Sequence, residues 1–391
     1  MNAAYSNKSN RIRSVGCAVL CVTATSCTPT TPLSVSSCTR TSNYLGAPLR
    51  APVSPSTFLL EIAPVSDLTA SETRRLDQAF ETAFSATGAA SMTAAVWQVG
   101  GEHWTRAQGA DLGDLHYWAS VGKLLTGATL LRLDADGRLS LDDPVSRYLD
   151  DVPNGNLITL RMLLAHTAGL PGAGEVPQST AATGALTLSD EIEWLQTHGP
   201  FGCPGASWQY SNSGYALLGG VIESVTGLSY DAAVTDLLLS RGTVTNLRMV
   251  ARDDALNDIV PLVTPQQARP FDVRAAQAAG GAVADARSMS QFLLDLLSGQ
   301  IVPLAQVMEM FAELYPMDDP GLWYGAGAMV YDVPGDRGTT LWFGHSGGAP
   351  GATAIVAYSP LQSAIVAVAI TGSGSAEASA NLLLAALNVG P

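Results

Sequence analysis

Apolar residues recur along this chain at two spacings, and the change from one to the other divides it into zones. Leu76, Phe80 and Phe84 fall at every fourth position and predict a helix over Leu68–Phe84, with Ser71 as its candidate cap. Ser91–Val99 and His103–Gln108 then read as two strands joined at Gly100-Gly101, a hairpin signal. Towards the other end, Thr339–Phe343, Thr353–Tyr358 and Ala364–Ile370 read as further strands, and Glu377–Leu387 as a closing helix. Between these ends the pattern turns helical. Ser120–Asp134 stops near Gly137, Leu160–Ala165 near Gly169, Gly214–Thr226 at Gly227 and Ser288–Leu297 at Gly299. The arrangement predicts a sheet built from both chain ends, covered by the terminal helices, with a mostly helical region inserted between.

Upstream of this body the pattern is of another kind. Lys8, Arg11 and Arg13 precede an apolar run, Ser14–Ala24, too short to span a bilayer, so residues 1–27 read as an export signal. Ala24-Thr25-Ser26-Cys27 resembles a bacterial lipoprotein cleavage site with alanine in place of the usual leucine. A lipid on Cys27 is the membrane contact this sequence suggests. Residues 28–58, rich in Ser, Thr and Pro, read as a flexible linker, and 59–391 as the folded domain. The expected location is therefore outside the cytoplasm, periplasmic or extracellular.

Composition narrows the chemistry. The formal charge is −14, and the leader holds three of the cations and no acid, so the body is more acidic still. Such a body repels phosphate backbones, and nucleic acid is excluded as an expected partner. Of five cysteines, Cys17 and Cys21 lie in the leader; no Cys-x-x-Cys pair or His/Cys cluster has metal-ligand spacing. Whether Cys38 and Cys203 pair is left open, because Cys38 lies in the expected linker.

Outside the leader there is one lysine, Lys123; every other permanent cation is an arginine. Arginine keeps its proton in a protein, whereas a lysine on a desolvated stem can lose it, so one lysine among arginines points to an amine that must be neutral. It stands three residues after Ser120, flanked by Trp118, Val121, Leu124 and Leu125. Taken alone, Ser-x-x-Lys is a weak signal, and a solvated surface lysine is the ordinary alternative. On a helix beginning at Ser120, Lys123 lies one turn along on the same face, within reach of the hydroxyl it would activate. That helix start would also offer backbone N–H groups to an oxyanion.

Two more segments carry chemistry. In Tyr210-Ser211-Asn212 an extended turn would present a phenol and an amide on one side, and a neighbouring ammonium would lower the phenol's pKa. The plainer reading is a helix start, with Asn212 or Ser213 as the cap. Gly344-His345-Ser346-Gly347-Gly348 closes a strand. Its glycines would let a substrate lie against the strand edge, with the Gly348 N–H as a second oxyanion donor, unless the stretch is simply a turn. His166 reads as structural, His103 and His198 have no catalytic neighbours, and His116 has no assigned role.

The order and spacing of these three elements over about Leu68–Leu387 resemble the serine β-lactamase-like family. That family includes class C β-lactamases, D-alanyl-D-alanine carboxypeptidases and family VIII carboxylesterases. Gly137–Val145, Ile158–Leu170 and Ala279–Val283 support the resemblance. It implies an α/β fold of the α+β type, with an antiparallel sheet flanked by helices and a helical subdomain. It also implies acyl transfer through Ser120, with Lys123 as proton partner, Tyr210 as general acid/base and Asn212 as a ligand of Lys123 and the substrate. His345, Ser346 and Gly347 fall where the family often has Lys-Thr-Gly, and the N–H groups of Ser120 and Gly348 would form the oxyanion hole. Histidine in place of that lysine weakens the case for an efficient β-lactamase, since a mostly neutral ring serves as a hydrogen-bonding group. The implied substrates are small esters, β-lactams or D-alanyl peptides, with no metal or organic cofactor. The alternative is a module that binds such compounds without turnover.

Overall fold

The computed structural model describes residues 38–54, 67–98, 101, 103–172, 187–199, 201–264, 271–335 and 338–387. The expected export signal, Cys27 and the start of the linker lie outside the described residues.

In chain order the body begins with helix α1 (Ala70–Ser85), strands β1 (Gly88–Gln98), β2 (His103–Gln108) and β3 (His116–Tyr117), and helices α2 (Gly122–Ala135) and α3 (Leu160–Leu164). There follow α4 (Leu188–His198), α5 (Asn212–Thr226), α6 (Tyr230–Leu237), β4 (Leu247–Met249), β5 (Ala282–Ala284), α7 (Ala286–Leu297) and α8 (Leu304–Glu309). Strands β6 (Tyr315–Pro316), β7 (Leu322–Tyr324), β8 (Met329–Gly335), β9 (Gly338–Ala349), β10 (Ala352–Ser359) and β11 (Ala364–Ser373) lead to α9 (Ala376–Ala386).

The main sheet has eight strands in the order β2-β1-β11-β10-β9-β8-β7-β6. Every neighbouring pair is antiparallel, and β1 from one end of the body lies beside β11 from the other. Val366, Val368 and Ile370 of β11 pack with Leu76 and Phe80 of α1 and Leu383 of α9. The alternate residues Ile365, Ala367 and Ala369 belong to the core that also holds Phe292 and Leu296 of α7. Period-two alternation sends successive side chains to opposite faces, so with both faces covered the strand is apolar throughout. Helix α1 starts later than its apolar spacing suggests. Thr69, not Ser71, is its cap, in a reciprocal capping box with Glu72. A second sheet of three short strands, β3-β5-β4, is too brief to leave a periodic trace in the sequence.

In the helical region α2 is buried on all sides, from Gly122 to Leu131 without a break. A helix with no polar stripe belongs to an interior, and this one is enclosed by the α5 and α6 helices and the adjoining core.

The expected flexible linker needs correction over its described part. Cys38 is bonded to Cys203, and the backbone N–H groups of Ser42 and Leu45 donate to the carbonyls of Pro204 and Ala206 at 2.8 Å. The Tyr44 ring meets Tyr315 edge-on, Arg50 pairs with Asp332 at 3.2 Å, and Val53 is only 6% exposed. Residues 38–54 are thus a strap lying along the body. A Ser/Thr/Pro-rich composition hides this because the attachment uses a disulfide, backbone hydrogen bonds and single side chains rather than a periodic apolar face. The bridge closes a span of 165 residues, so Cys203→Ser is expected to destabilise the fold by about 2–4 kcal/mol. Thermal unfolding of the variant beside the parent checks this, and an unchanged midpoint would mean the bridge adds nothing to the strap.

Candidate active site

Ser120 sits on a short turn wedged between the two sheets. Trp118 donates its backbone N–H to the Ala282 carbonyl at 2.9 Å and its indole N–H to that of Ala284 at 3.0 Å, which anchors the chain just before Ser120. Ala119 then takes the left-handed conformation, φ 48°, and a 3-10 turn over Ala119–Val121 runs into α2. Two glycines make the close packing feasible. A Cβ on Gly347 would stand 2.3 Å from the Trp118 carbonyl oxygen, and one on Gly280 would stand 2.8 Å from that of Ala119. The turn is held from both sides by backbone alone, which presents the Ser120 hydroxyl at a cavity.

Lys123 is 0% exposed. Its Nζ reaches Ser120 Oγ at 3.3 Å and Asn212 Oδ1 at 2.8 Å, and also donates to the Ala279 carbonyl. Burial pushes its pKa down to about 7. An amide oxygen and a carbonyl can only accept, so a neutral amine gives its two N–H groups to Asn212 and Ala279. Its lone pair is left for the proton of Ser120.

Tyr210 and Asn212 are delivered by the start of α5. Ser211, rather than Asn212 or Ser213, is the cap, and its hydroxyl accepts from the Gly214 N–H. That leaves the Asn212 side chain free to hold Lys123. The ring centroid of Tyr210 lies 4.9 Å from Lys123 Nζ, and the Ser120 side chain acts on its phenol. The expectation of a lowered phenol pKa is overturned, because burial pushes it up and outweighs the opposing influence of Ser120. At neutral pH Tyr210 therefore keeps its proton.

His166 does more than end a helix. It follows α3 in the left-handed region, φ 60°, and its Nδ1 accepts the Ser211 N–H at 3.1 Å. Its ring centroid lies 4.3 Å from that of Tyr210, 4.5 Å from Tyr324 and 5.1 Å from Tyr215. Burial holds the imidazole well below its ordinary pKa, as an Nδ1 acceptor requires. His166 thus braces the segment that carries Tyr210 and Asn212. The motif around it could be read in the sequence, but the side of the chain it supports could not.

The third segment is only partly brought to the site. Gly348 lines the cavity, with open space where a side chain would be. Gly347 backs the Ser120 turn instead. Ser346 is buried beside the Met329 sulfur at 3.8 Å. The assignment of His345 to the substrate is corrected: the ring is 0% exposed, with Nε2 bonded to the Tyr324 hydroxyl at 3.0 Å and Nδ1 to the Ser346 carbonyl oxygen at 2.5 Å. Burial pushes its pKa down to about 3. The reason is register: His345 faces Val356 on the neighbouring strand and points into the core between the Tyr324 ring and the sheet.

The cavity measures about 190 Å³. Ser120 and Asn212 line it together with Tyr117, Phe271, Glu191 and Gly348. The sequence gives no sign of Glu191 or of the Ala279 carbonyl, since a lone acid on an amphipathic helix and a backbone oxygen have no motif. His116 is a core residue, bonded to Ser91 at 3.0 Å. Among the described residues no cluster of three or more His, Cys, Asp or Glu side chains could hold a metal.

Known proteins resemble this chain. The chain is 35% identical to the penicillin-binding protein PbpX of Bacillus subtilis over 130 residues, 33% of this chain and 32% of that protein. It is 32% identical to the esterase EstB of Burkholderia gladioli over 215 residues, 48% of this chain and 52% of EstB. These matches span from about a third to about half of the relatives' own length. A D-stereospecific amidohydrolase from a Streptomyces species superposes with a TM-score of 0.67 at 26% identity, over 81% of this chain and 98% of that one. The Beta-lactamase family model matches residues 76–389, and with the serine, tyrosine and asparagine gathered around the buried lysine the chain belongs to that family.

Proposed function

We propose that this protein is an exported serine hydrolase that cleaves small esters or amides through an acyl-enzyme on Ser120. The observation that carries the reading is the Lys123 amine, buried and 3.3 Å from Ser120 Oγ, with Asn212 and Ala279 occupying its other hydrogen-bonding directions. The neutral amine takes the Ser120 proton as Oγ attacks the substrate carbonyl. The developing oxyanion is received by the backbone N–H groups of Ser120 and Gly348, both on the cavity wall. Tyr210, kept protonated by burial, gives a proton to the leaving alcohol or amine, and water then hydrolyses the acyl-serine.

A β-lactam or a D-alanyl peptide is the finer reading of the substrate, and the names of the penicillin-binding relative and the amidohydrolase support it. EstB's name supports carboxylic esters. Location outside the cytoplasm is supported by the Cys38–Cys203 bridge, which persists in oxidising compartments.

Turnover of p-nitrophenyl esters, nitrocefin and a D-alanyl-D-alanine peptide tests the reading, with Ser120→Ala as blank. Continuous turnover of at least one is expected. One equivalent of product followed by a flat line would make the protein a binder. Lys123→Arg is expected to lose roughly 10²–10⁴-fold in kcat/KM, because a guanidinium cannot serve as base; near-parental activity would dismiss the amine's role.

The pH dependence follows from the lowered lysine pKa. Protonation of Lys123 removes the base, so kcat/KM should rise with pH through about 7 and then level off. A profile flat from acid to mildly alkaline pH would contradict this.

His166→Phe keeps a ring but leaves the Ser211 N–H without its acceptor, a penalty of about 1–3 kcal/mol. With Tyr210 misplaced, kcat should fall about tenfold while KM stays near the parent value. A raised KM at unchanged kcat would assign His166 to binding instead.

A further inference from the structure

We propose that the cavity beside Ser120 selects substrates carrying a positively charged amino group, with the Glu191 carboxylate as its counter-ion, so that the preferred esters or amides are amino-bearing ones. The proposal rests on the hydrolase reading above and adds the substrate class.

Glu191 is 8% exposed and sits on α4, whose start is capped by Thr187. The Ser213 side chain acts on its carboxyl group against the effect of burial, and Oε1 is buried without a hydrogen-bond partner. A buried carboxyl oxygen without a partner is expensive, on the order of several kcal/mol if ionised, and is rarely retained without a use. Burial accordingly pushes its pKa up. The side chain lines the same cavity as Ser120 and Asn212. Ser213, whose side chain acts on Glu191, directly follows Asn212, which holds Lys123, and Glu191, Asn212 and Ser213 all line one cavity.

The other charged groups on the wall agree with this choice. Glu223 Oε1 accepts the Tyr230 backbone N–H at 3.0 Å and is already engaged. Arg252 is exposed, and its positive field acts on Asp190. His345, on the strand side, is buried and neutral and offers no cation. Tyr117 and Phe271, with ring centroids 5.7 Å apart, add an aromatic wall. A cavity of about 190 Å³ is smaller than the ~300 Å³ at which sites for drug-sized ligands begin, which suits a compact amino-acyl group.

The test compares two nearly isosteric pairs. The p-nitroanilides of alanine and of propionic acid differ in the amino group and report turnover; alaninamide and propionamide report binding to the Ser120→Ala protein by calorimetry. The amino-bearing member of each pair should be favoured at least about tenfold, the scale of one charge-assisted hydrogen bond. In Glu191→Gln that discrimination should fall towards unity, with a thermal melt confirming the fold. Equal treatment of the two members by the parent protein, or discrimination that survives Glu191→Gln, would overturn the proposal. Preferential binding of alaninamide without turnover of any substrate would uphold the cationic site while removing the hydrolase reading. Turnover without discrimination would do the reverse.

Discussion

The structure depends on keeping one amine dry. Moving the Lys123 pKa from its ordinary 10.5 to about 7 corresponds to roughly 5 kcal/mol of bias against the ammonium. Three acceptors surround Nζ and favour the charged form, so the desolvation of α2 must outweigh them. That explains the make-up of α2. A surface helix with one buried stripe would leave the lysine stem partly wet, whereas a helix enclosed all round cannot. The enclosure in turn requires the packing of α5 and α6 and the strand edge at Gly347, which approaches the Ser120 turn closely only because it lacks a side chain.

Much of this was legible in the sequence. The lone lysine after Ser120, the start of α5 and the glycine-rich end of β9 were visible because each is a local signal, and the long strands β1, β10 and β11 because both of their faces are apolar. What stayed hidden was non-local. The His166 bond to Ser211 joins residues 45 apart, and the Lys123 bond to Ala279 joins residues 156 apart. Neither leaves a spacing to read. His345 was misassigned because sequence gives a strand position but not its register, and register decides whether a side chain meets the substrate or the core. The strap went unrecognised for a related reason: its attachments are single contacts spread over distant elements.

The strap also bears on the site. Cys203, Pro204 and Ala206 immediately precede the segment through Trp208 to Tyr210, and all three are fixed to residues 38–45. Gln209 then donates its backbone N–H to the His166 carbonyl at 2.9 Å, and Ser211 to the His166 ring. The phenol is therefore held at both ends of a short irregular stretch that has no ladder of its own. Irregular backbone carrying a reacting group needs such bracing, because a displacement of an ångström is enough to spoil proton transfer.

Burial acts oppositely on Lys123 and Tyr210, and in the proposed reaction this divides their roles. The same loss of water that lowers the lysine raises the phenol, since each is driven towards its uncharged form. Near pH 7 the amine is poised to accept a proton and the phenol to give one, with Ser120 between them. A site built on a Lys–Tyr pair thus needs no carboxylate to assign acid and base; low polarity alone does it. The neutral His345 fits the same logic. A lysine there would add a second positive charge close to Lys123, lowering the amine further and stabilising a phenolate, whereas a buried imidazole bonded to Tyr324 leaves the balance to desolvation. In the proposed reaction the charge in the cavity would then come from the substrate and from Glu191, not from the catalytic pair.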